Sequence, residues 1–149
     1  MIESKNIIDT IVLTPLKRID VKGGDVLHAM KKNDFGYSGF GEAYFSNIEF
    51  NAIKAWKRHK RMVLNLVVPV GKVRFVFLDD REPEDNHYQE IIISKDNYCR
   101  LTVPPMIWMG FQGLSNSGSI LLNLSNIEHD PSEVENRNIE EMEFNWSKK

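Results

Sequence analysis

The segment AWKRHKRM, residues 55–62, places five residues that can carry positive charge at consecutive positions, from Lys57 to Arg61. A histidine can accept a proton near neutral pH, and a lysine does so only where burial or neighbouring cations lower its pKa. A lysine that stays charged can instead stabilise an enolate or bind a phosphate. Lys57 and His59 are therefore candidates for a base and its cationic partner. Three interpretations are open: a nucleic-acid-binding patch, a solvated face, or the wall of a small-molecule site.

The overall charge separates these interpretations. The 149 residues include 21 acidic and 19 basic side chains, for a net charge of -2. Proteins that bind long polyanions usually carry a clear basic excess. We therefore expect no nucleic-acid partner, and interpret the basic run as a local feature that could bind a small anion such as a nucleotide diphosphate.

The sequence around the basic run predicts strands on both sides of it. EAYFSNIEF precedes it and MVLNLVV follows it, and both are rich in β-branched and aromatic residues. Because alternate side chains of a strand share a face, Lys57, His59 and Arg61 should point one way. Trp56, Arg58 and Lys60 should point the other way.

The rest of the chain also favours short strands. VLNLVVPVGKVRFVFLDD predicts two strands divided at Pro69 and Gly71, the second of them half-buried. YQEIIIS, YCRLTVPP and SILLNLSN predict three more, and only the acidic PSEVENRNIEEMEFNW could hold a helical turn or two. Seven or more strands at spacings of about ten residues predict an all-β sandwich or barrel in one domain, 1–149.

Composition sets further expectations. The single cysteine, Cys99, rules out an intrachain disulfide and is interpreted as a small buried residue. No apolar run approaches the roughly 18 residues of a membrane span, and the N-terminus does not look like a signal peptide. We expect a cytoplasmic protein with no membrane partner.

Five stretches, taken in order, resemble the nucleotide-sugar epimerases of the dTDP-4-dehydrorhamnose 3,5-epimerase type. They are KGGDVLHAM, GEAYFSNIEFNAIKAWKRH, VGKVRFVFLDDR, DNYCRLTVPPMIWMGFQGLS and HDPSE. The resemblance implies a cupin-like β-jelly roll, also called a double-stranded β-helix, with little helix. It also implies a homodimer, for which the apolar segment from Ile7 to Leu16 could supply a pairing strand.

The resemblance implies site residues and shows where this chain departs from the family. The family's RGxH turn becomes KAWK, so Lys54 takes the arginine position and Lys57 the position of the catalytic histidine. FAHGF becomes IWMGF, with Met109 in place of a histidine. His129 takes the position of the tyrosine that is proposed to act as the family's general acid. No aspartate in VENRNIEEMEF matches the one that pairs with the family's histidine, so we expect that pair to be absent.

The implied roles follow from these positions. The catalytic candidates are His59, Lys57 and His129, and either of the first two could be the base. For substrate binding, the candidates are Glu42, Tyr44, Lys54, Arg61 and Trp108, with burial in the core as the alternative for the tryptophan.

Metal and cofactor motifs are missing from the sequence. Many cupins bind a metal through HxH, and here KRH lacks the first histidine. There is no P-loop and no GxGxxG motif. We therefore expect no metal and no cofactor.

The predicted function is epimerisation, at C3, C5 or both, of a nucleotide-linked 4-keto-6-deoxy sugar, in deoxysugar or surface polysaccharide biosynthesis. A nucleotide-sugar 3,4-ketoisomerase and a non-catalytic sugar-nucleotide-binding cupin are the alternatives.

Overall fold

The computed structural model describes residues 5–6, 10–81 and 87–147. Over these residues the chain is almost entirely β-structure, with two short 3-10 helices, Pro131–Glu133 and Ile139–Glu141. The strands are β1 Lys5–Asn6, β2 Val12–Pro15, β3 Arg18–Ile19, β4 Val26–Leu27, β5 Glu42–Ile48, β6 Ile53–His59, β7 Leu64–Val70, β8 Lys72–Leu78, β9 Gln89–Ser94, β10 Cys99–Val103, β11 Trp108–Gly113, β12 Ser119–Ser125 and β13 Val134–Asn136. The predicted all-β class is confirmed, as are the helical turns near the C-terminus.

Two antiparallel sheets face each other. The first has six strands in the order β1-β2-β10-β7-β12-β5, and the second has five in the order β13-β6-β11-β8-β9. A small third sheet pairs β3 with β4. Leu66 and Leu101 of the first sheet share one buried cluster with Phe75 and Phe77 of the second. This is the predicted cupin-like jelly roll, with its main core between the sheets.

The chain passes from the first sheet to the second at Gly71, between β7 and β8. Gly71 has a φ of 89°, and a Cβ there would lie 2.7 Å from the carbonyl oxygen of Gly118. Only glycine tolerates that conformation and that contact without strain. The predicted break between the two strands is therefore a corner that joins the sheets.

Strand β8 is buried on both of its faces, so the prediction that it is half-buried is wrong. Phe75 and Phe77 pack between the sheets, while Val76 packs on the other side of the strand. The cover on that outer side comes from the C-terminal segment, whose Met142 and Trp146 lie in the same cluster as Val76. This second cluster fixes the outer face of the strands that carry the basic segment.

The N-terminal segment is partly paired within its own chain. Strand β2 lies between β1 and β10, with Leu13 opposite Leu101. Residues 12–15 therefore do not offer a free strand to a partner, and Ile7 to Asp9 lie outside the described residues. No helix in the described part of the chain is long and apolar enough to cross a membrane.

Candidate active site

A cavity of about 400 Å³ opens between the two sheets, where β6 faces β5 and β12. Its size is that of a small-molecule site. The second sheet contributes Lys54, Ala55, Trp56, Lys57, His59, Met109, Phe111 and Asn136 to the lining, and the first contributes Tyr44, Ser46, Leu64 and Asn123.

The basic segment forms one wall of this cavity. Lys57 and His59 both line it, whereas Arg58 points to the other side of β6 and pairs with Asp80 and Glu135. The predicted alternation of these three side chains is confirmed. In the sheet, Lys57 lies between Met109 of β11 and Asn136 of β13.

Lys54 also lines the cavity, although it is an odd number of residues from Lys57. The register between β6 and β11 explains this. Met109 pairs with Lys57 but Phe111 pairs with Lys54, which leaves one extra residue in β6. Such a bulge lets residues at odd spacing share a face. The Lys54 ammonium donates a hydrogen bond to the Asn47 carbonyl oxygen at 3.0 Å.

A histidine–carboxylate pair that the sequence did not predict is present at the cavity, although it is not the family's histidine–aspartate pair, which was expected to be absent. Nδ1 of His59 lies 2.5 Å from Oε1 of Glu133, whose side chain is only 1% exposed. Oε2 of Glu133 accepts hydrogen bonds from the backbone N–H groups of Arg61 and Met62, at 3.1 and 3.2 Å.

These contacts set the charge of the carboxylate and the tautomer of the ring. Burial alone would raise the pKa of Glu133, but the hydrogen bonds from His59, Arg61 and Met62, together with the charge of His59, lower it below its usual range. An ionised carboxylate can only accept hydrogen bonds, so Nδ1 of His59 must carry a proton. In the neutral ring, Nε2 is then the basic atom.

Local sequence explains how Glu133 reaches the histidine. Asp130 caps the short helix Pro131–Glu133, and its side chain accepts a hydrogen bond from the Ser132 N–H at 3.0 Å. Strand β13 follows at once and pairs Val134 with His59. The sequence signal is the capping aspartate before a proline in HDPSE, which fixes a tight turn at this point. That signal gives no partner for Glu133, which is why sequence reasoning missed it.

The opposite wall carries polar groups from β5 and β12. Tyr44 and Asn123 are paired across these strands, and both line the cavity together with Ser46. Burial, and to a lesser extent the charge of Glu42, raises the pKa of the Tyr44 phenol. Glu42 is thus close enough to influence Tyr44, but it does not line the cavity itself.

Three other predicted site residues lie elsewhere. The Arg61 side chain is 61% exposed and pairs with Asp130 at 3.1 Å, because β6 ends at His59 and alternation ends with it. His129 is exposed in the turn before that aspartate, outside the cavity lining.

Trp108 takes the alternative that the sequence left open, burial in the core. It is 1% exposed on the outer side of β11, and its Nε1 donates to Asp80 at 3.1 Å. The guanidinium groups of Arg58 and Arg137 lie 4.7 and 4.3 Å from the centre of its ring. We do not include Trp108, Arg61 or His129 in the proposed site.

The crystal structure of a dTDP sugar isomerase from Desulfovibrio desulfuricans G20 matches with a TM-score of 0.89 and 30% sequence identity, over 99% of this chain and 96% of that one. The chain belongs to the dTDP-4-dehydrorhamnose 3,5-epimerase-like family. It is an enzyme of the isomerase class.

One further solved structure and one curated relative are also similar to the chain. The dTDP-4-dehydrorhamnose 3,5-epimerase from Sulfolobus tokodaii shares the fold, with a TM-score of 0.82 and 21% identity over 95% of this chain and 85% of that one. A curated relative in Haloferax volcanii, named probable low-salt glycan biosynthesis epimerase Agl13, is 27% identical over 84 residues. The match spans 54% of this chain and 54% of that protein. No family model matches the chain.

Within this epimerase-like family, the chain's cavity has an altered set of charged groups. Lys57 and Met109, paired in neighbouring strands, stand where the resemblance places two histidines. The histidine that lines the cavity is His59, two residues farther along β6, and its carboxylate comes from Glu133. Among residues 10–81 and 87–147, no group of three or more metal-ligating side chains is positioned to hold a metal ion.

Proposed function

We propose that the protein is an epimerase that acts on a nucleotide-linked 4-keto-6-deoxy sugar and inverts C3, C5 or both. The observation that carries this proposal is the His59–Glu133 pair at the wall of a cavity of about 400 Å³, with Lys57 on the same wall. Epimerisation beside a ketone needs a base for a carbon-bound proton and a cation for the enolate oxygen, and these two side chains supply both.

His59 is the proposed base. Glu133 fixes its orientation and tautomer through Nδ1 and stabilises the imidazolium that forms when Nε2 takes the proton. This is the role that a buried carboxylate has beside the catalytic histidine of other enzymes. Among the described residues, the alternative base, Lys57, has no carboxylate partner, and its exposed position suits a cationic role.

Lys57 is the proposed partner of the enolate, and Lys54 a contact for the diphosphate. Both line the cavity from β6, separated by the bulge. An ammonium stabilises the negative charge that develops on the ketone oxygen as the adjacent C–H bond breaks. Among residues 5–6, 10–81 and 87–147, the Lys54 ammonium makes one hydrogen bond, to a backbone carbonyl, and keeps donors for phosphate oxygens.

The names of related proteins support the substrate class. The Desulfovibrio protein is a dTDP sugar isomerase, and the Sulfolobus protein acts on a dTDP-4-dehydro sugar. We further propose a homodimer. It is supported by the outer edge of β5, which pairs with no strand among the described residues, and by Phe45 on that strand, which is 68% exposed.

Deuterium incorporation tests the function. We would incubate the protein in D2O with dTDP- and GDP-linked 4-keto-6-deoxyglucose and follow C3 and C5 by NMR. The proposal expects deuterium at one or both carbons together with inversion at that carbon. Movement of the carbonyl to C3 would identify a 3,4-ketoisomerase instead. If neither substrate gains deuterium, inverts or isomerises while nucleotide sugar still binds, the protein is a non-catalytic binding cupin.

A further inference from the structure

We propose that a second cavity, on the outer face of the first sheet, is a binding site for inorganic phosphate. It lies beneath a covering loop, residues 28–37, and its volume is about 150 Å³. A water molecule takes up roughly 30 Å³ of the liquid, so this volume holds several waters or one small oxyanion. None of its lining residues lines the active-site cavity, so the inference is independent of the proposed function.

A buried arginine lines this cavity. Arg100 lies on β10 between Cys99 and Leu101, which belong to the main core, so strand alternation turns the arginine to the outer face of the sheet. Its side chain has no exposure. Nη1 and Nη2 donate to the carbonyl oxygens of Ala29 and Phe35, at 2.8 and 2.9 Å, and so tie the covering loop to the sheet. An arginine keeps its positive charge in such a place.

Two buried polar atoms at this cavity have no hydrogen-bond partner among the described residues. They are Nε of Arg100 and Oγ1 of Thr14. The two residues lie opposite each other where β10 pairs with β2, so their side chains share the outer face of the sheet. A buried donor without an acceptor is costly, most of all on a charged group. An oxyanion in the cavity would supply acceptors to both atoms.

The charges around the cavity favour an anion. Its lining includes two lysines, Lys17 and Lys31, and one carboxylate, Asp34. Oδ2 of Asp34 lies 3.5 Å from Nη1 of Arg100 and accepts a hydrogen bond from the backbone N–H of Lys31 at 2.7 Å, so this carboxylate already has its partners. Neither lysine side chain forms an ion pair with another described residue, and both are exposed. The two ammonium groups therefore remain for a ligand that enters from solvent.

The set of donors suits phosphate better than a carboxylate. Because the covering loop takes both Nη groups, Arg100 cannot form the two parallel hydrogen bonds by which arginine usually binds a carboxylate. It offers one charge-assisted donor, Nε, and Thr14 offers a hydroxyl. Lysine ammonium groups bind phosphate as point charges. Phosphate has four oxygens, so it can accept from several single donors at once.

The test measures phosphate binding where the active-site cavity cannot contribute. Lys54→Met/Lys57→Met removes the two ammonium groups of that cavity and serves as the background chain. Equilibrium dialysis with labelled inorganic phosphate, at an ionic strength held constant with sodium chloride, should show one saturable site per chain. On this background, Thr14→Val should weaken phosphate binding about tenfold or more, the usual effect of losing a hydrogen bond to a charged group. Lys17→Met/Lys31→Met should weaken it at least as much.

A matched control separates a built site from general surface charge. Lys22→Met/Lys32→Met removes two charges from exposed lysines that do not line this cavity, and the phosphate affinity should stay within about twofold of the background chain. Because Lys17 and Lys31 are exposed, their replacement leaves the fold intact and decides the question even if Thr14→Val does not fold.

Four results would overturn the proposal. Absence of saturable binding in the background chain would leave this cavity to water alone. Unchanged affinity in Lys17→Met/Lys31→Met would mean that phosphate binds elsewhere. Equal losses in that variant and in Lys22→Met/Lys32→Met would reduce the effect to surface charge. Displacement of phosphate by acetate at equal concentration would assign the cavity to a carboxylate.

Discussion

Replacing Glu133 by glutamine tests the histidine–carboxylate pair with almost no change of shape. The carboxylate makes three hydrogen bonds as acceptor: one oxygen bonds Nδ1 of His59, and the other bonds the backbone N–H groups of Arg61 and Met62. A glutamine has only one oxygen, so it cannot satisfy both sides. In either orientation its NH2 group faces a site that the carboxylate filled with an acceptor.

The two orientations differ in cost. With its oxygen towards His59, Glu133→Gln would leave the part-buried N–H of Arg61 and the buried N–H of Met62 without an acceptor, at up to about 1–3 kcal/mol each. With its oxygen towards the backbone, the amide donates to Nδ1 and moves the ring proton to Nε2, which removes the basic atom from the cavity. The second orientation is favoured by about 2–6 kcal/mol, which is roughly 30-fold to 2 × 10⁴-fold at about 1.4 kcal/mol per factor of ten. We therefore expect turnover to fall by about 10²–10⁴-fold.

The assay is the rate of deuterium incorporation beside the ketone in D2O, at saturating substrate. Glu135→Gln is the matched control, because Glu135 lies two residues farther along the chain, on β13, and pairs with Arg58 on the outer side of β6. It loses the same charge and should keep its turnover within a few-fold of wild type. If Glu133→Gln also stays within a few-fold, or if the two variants lose equal activity, the pair does not set the tautomer of the base.

Three further predictions concern other described residues. The pKa of Glu133 lies below its ordinary value of 4.5, so the ionised carboxylate stabilises the fold above that pH, and this contribution is lost as the pH falls through the lower folded-state pKa. Urea unfolding of wild type and Glu133→Gln from about pH 6 to about pH 3 should therefore show the difference between their free energies of unfolding shrinking. A constant difference would contradict this. Burial raises the pKa of Cys99 to about 11, and its side chain has no exposure, so a thiol reagent at about pH 8 should modify it only after unfolding. Arg61→Ala should change the KM by no more than about twofold, because the side chain lies outside the cavity lining and its exposed ion pair with Asp130 contributes little to stability. A rise in KM of about tenfold would show that Arg61 contacts the substrate.

The fold and one wall of the cavity could be predicted because they depend on local pattern. Period-two alternation placed Lys57 and His59 on one face and Arg58 on the other, and the structure agrees. The same rule would have corrected the placement of Trp108. Met109 and Phe111, two residues apart, face the cavity, so the tryptophan one residue before Met109 lies on the opposite side of the strand. Alternation applies only within a strand, so it failed for Arg61, two residues past the end of β6.

The rest of the site depends on contacts between distant parts of the chain. Glu133 is 74 residues from His59, and the two meet only because a capped turn delivers β13 to the edge of β6. The position of Lys54 depends on a bulge in that same strand, which no residue type announces. The burial of β8 on both faces likewise depends on the return of the C-terminal segment. Such long-range pairings are set by the packing of the whole fold, beyond what a single-sequence pattern encodes.

The central claim is that His59 is the base of this cavity, and the variant His59→Asn tests it most directly. An asparagine amide can still donate a hydrogen bond to the buried Glu133, so the carboxylate keeps a partner, but the group equivalent to Nε2 is gone. The measurement is the rate at which this variant incorporates deuterium beside the ketone of the substrate, relative to wild type. We predict a fall of about 10²–10⁴-fold with nucleotide-sugar binding retained. Incorporation at the wild-type rate would show that another group removes the proton and would contradict the account.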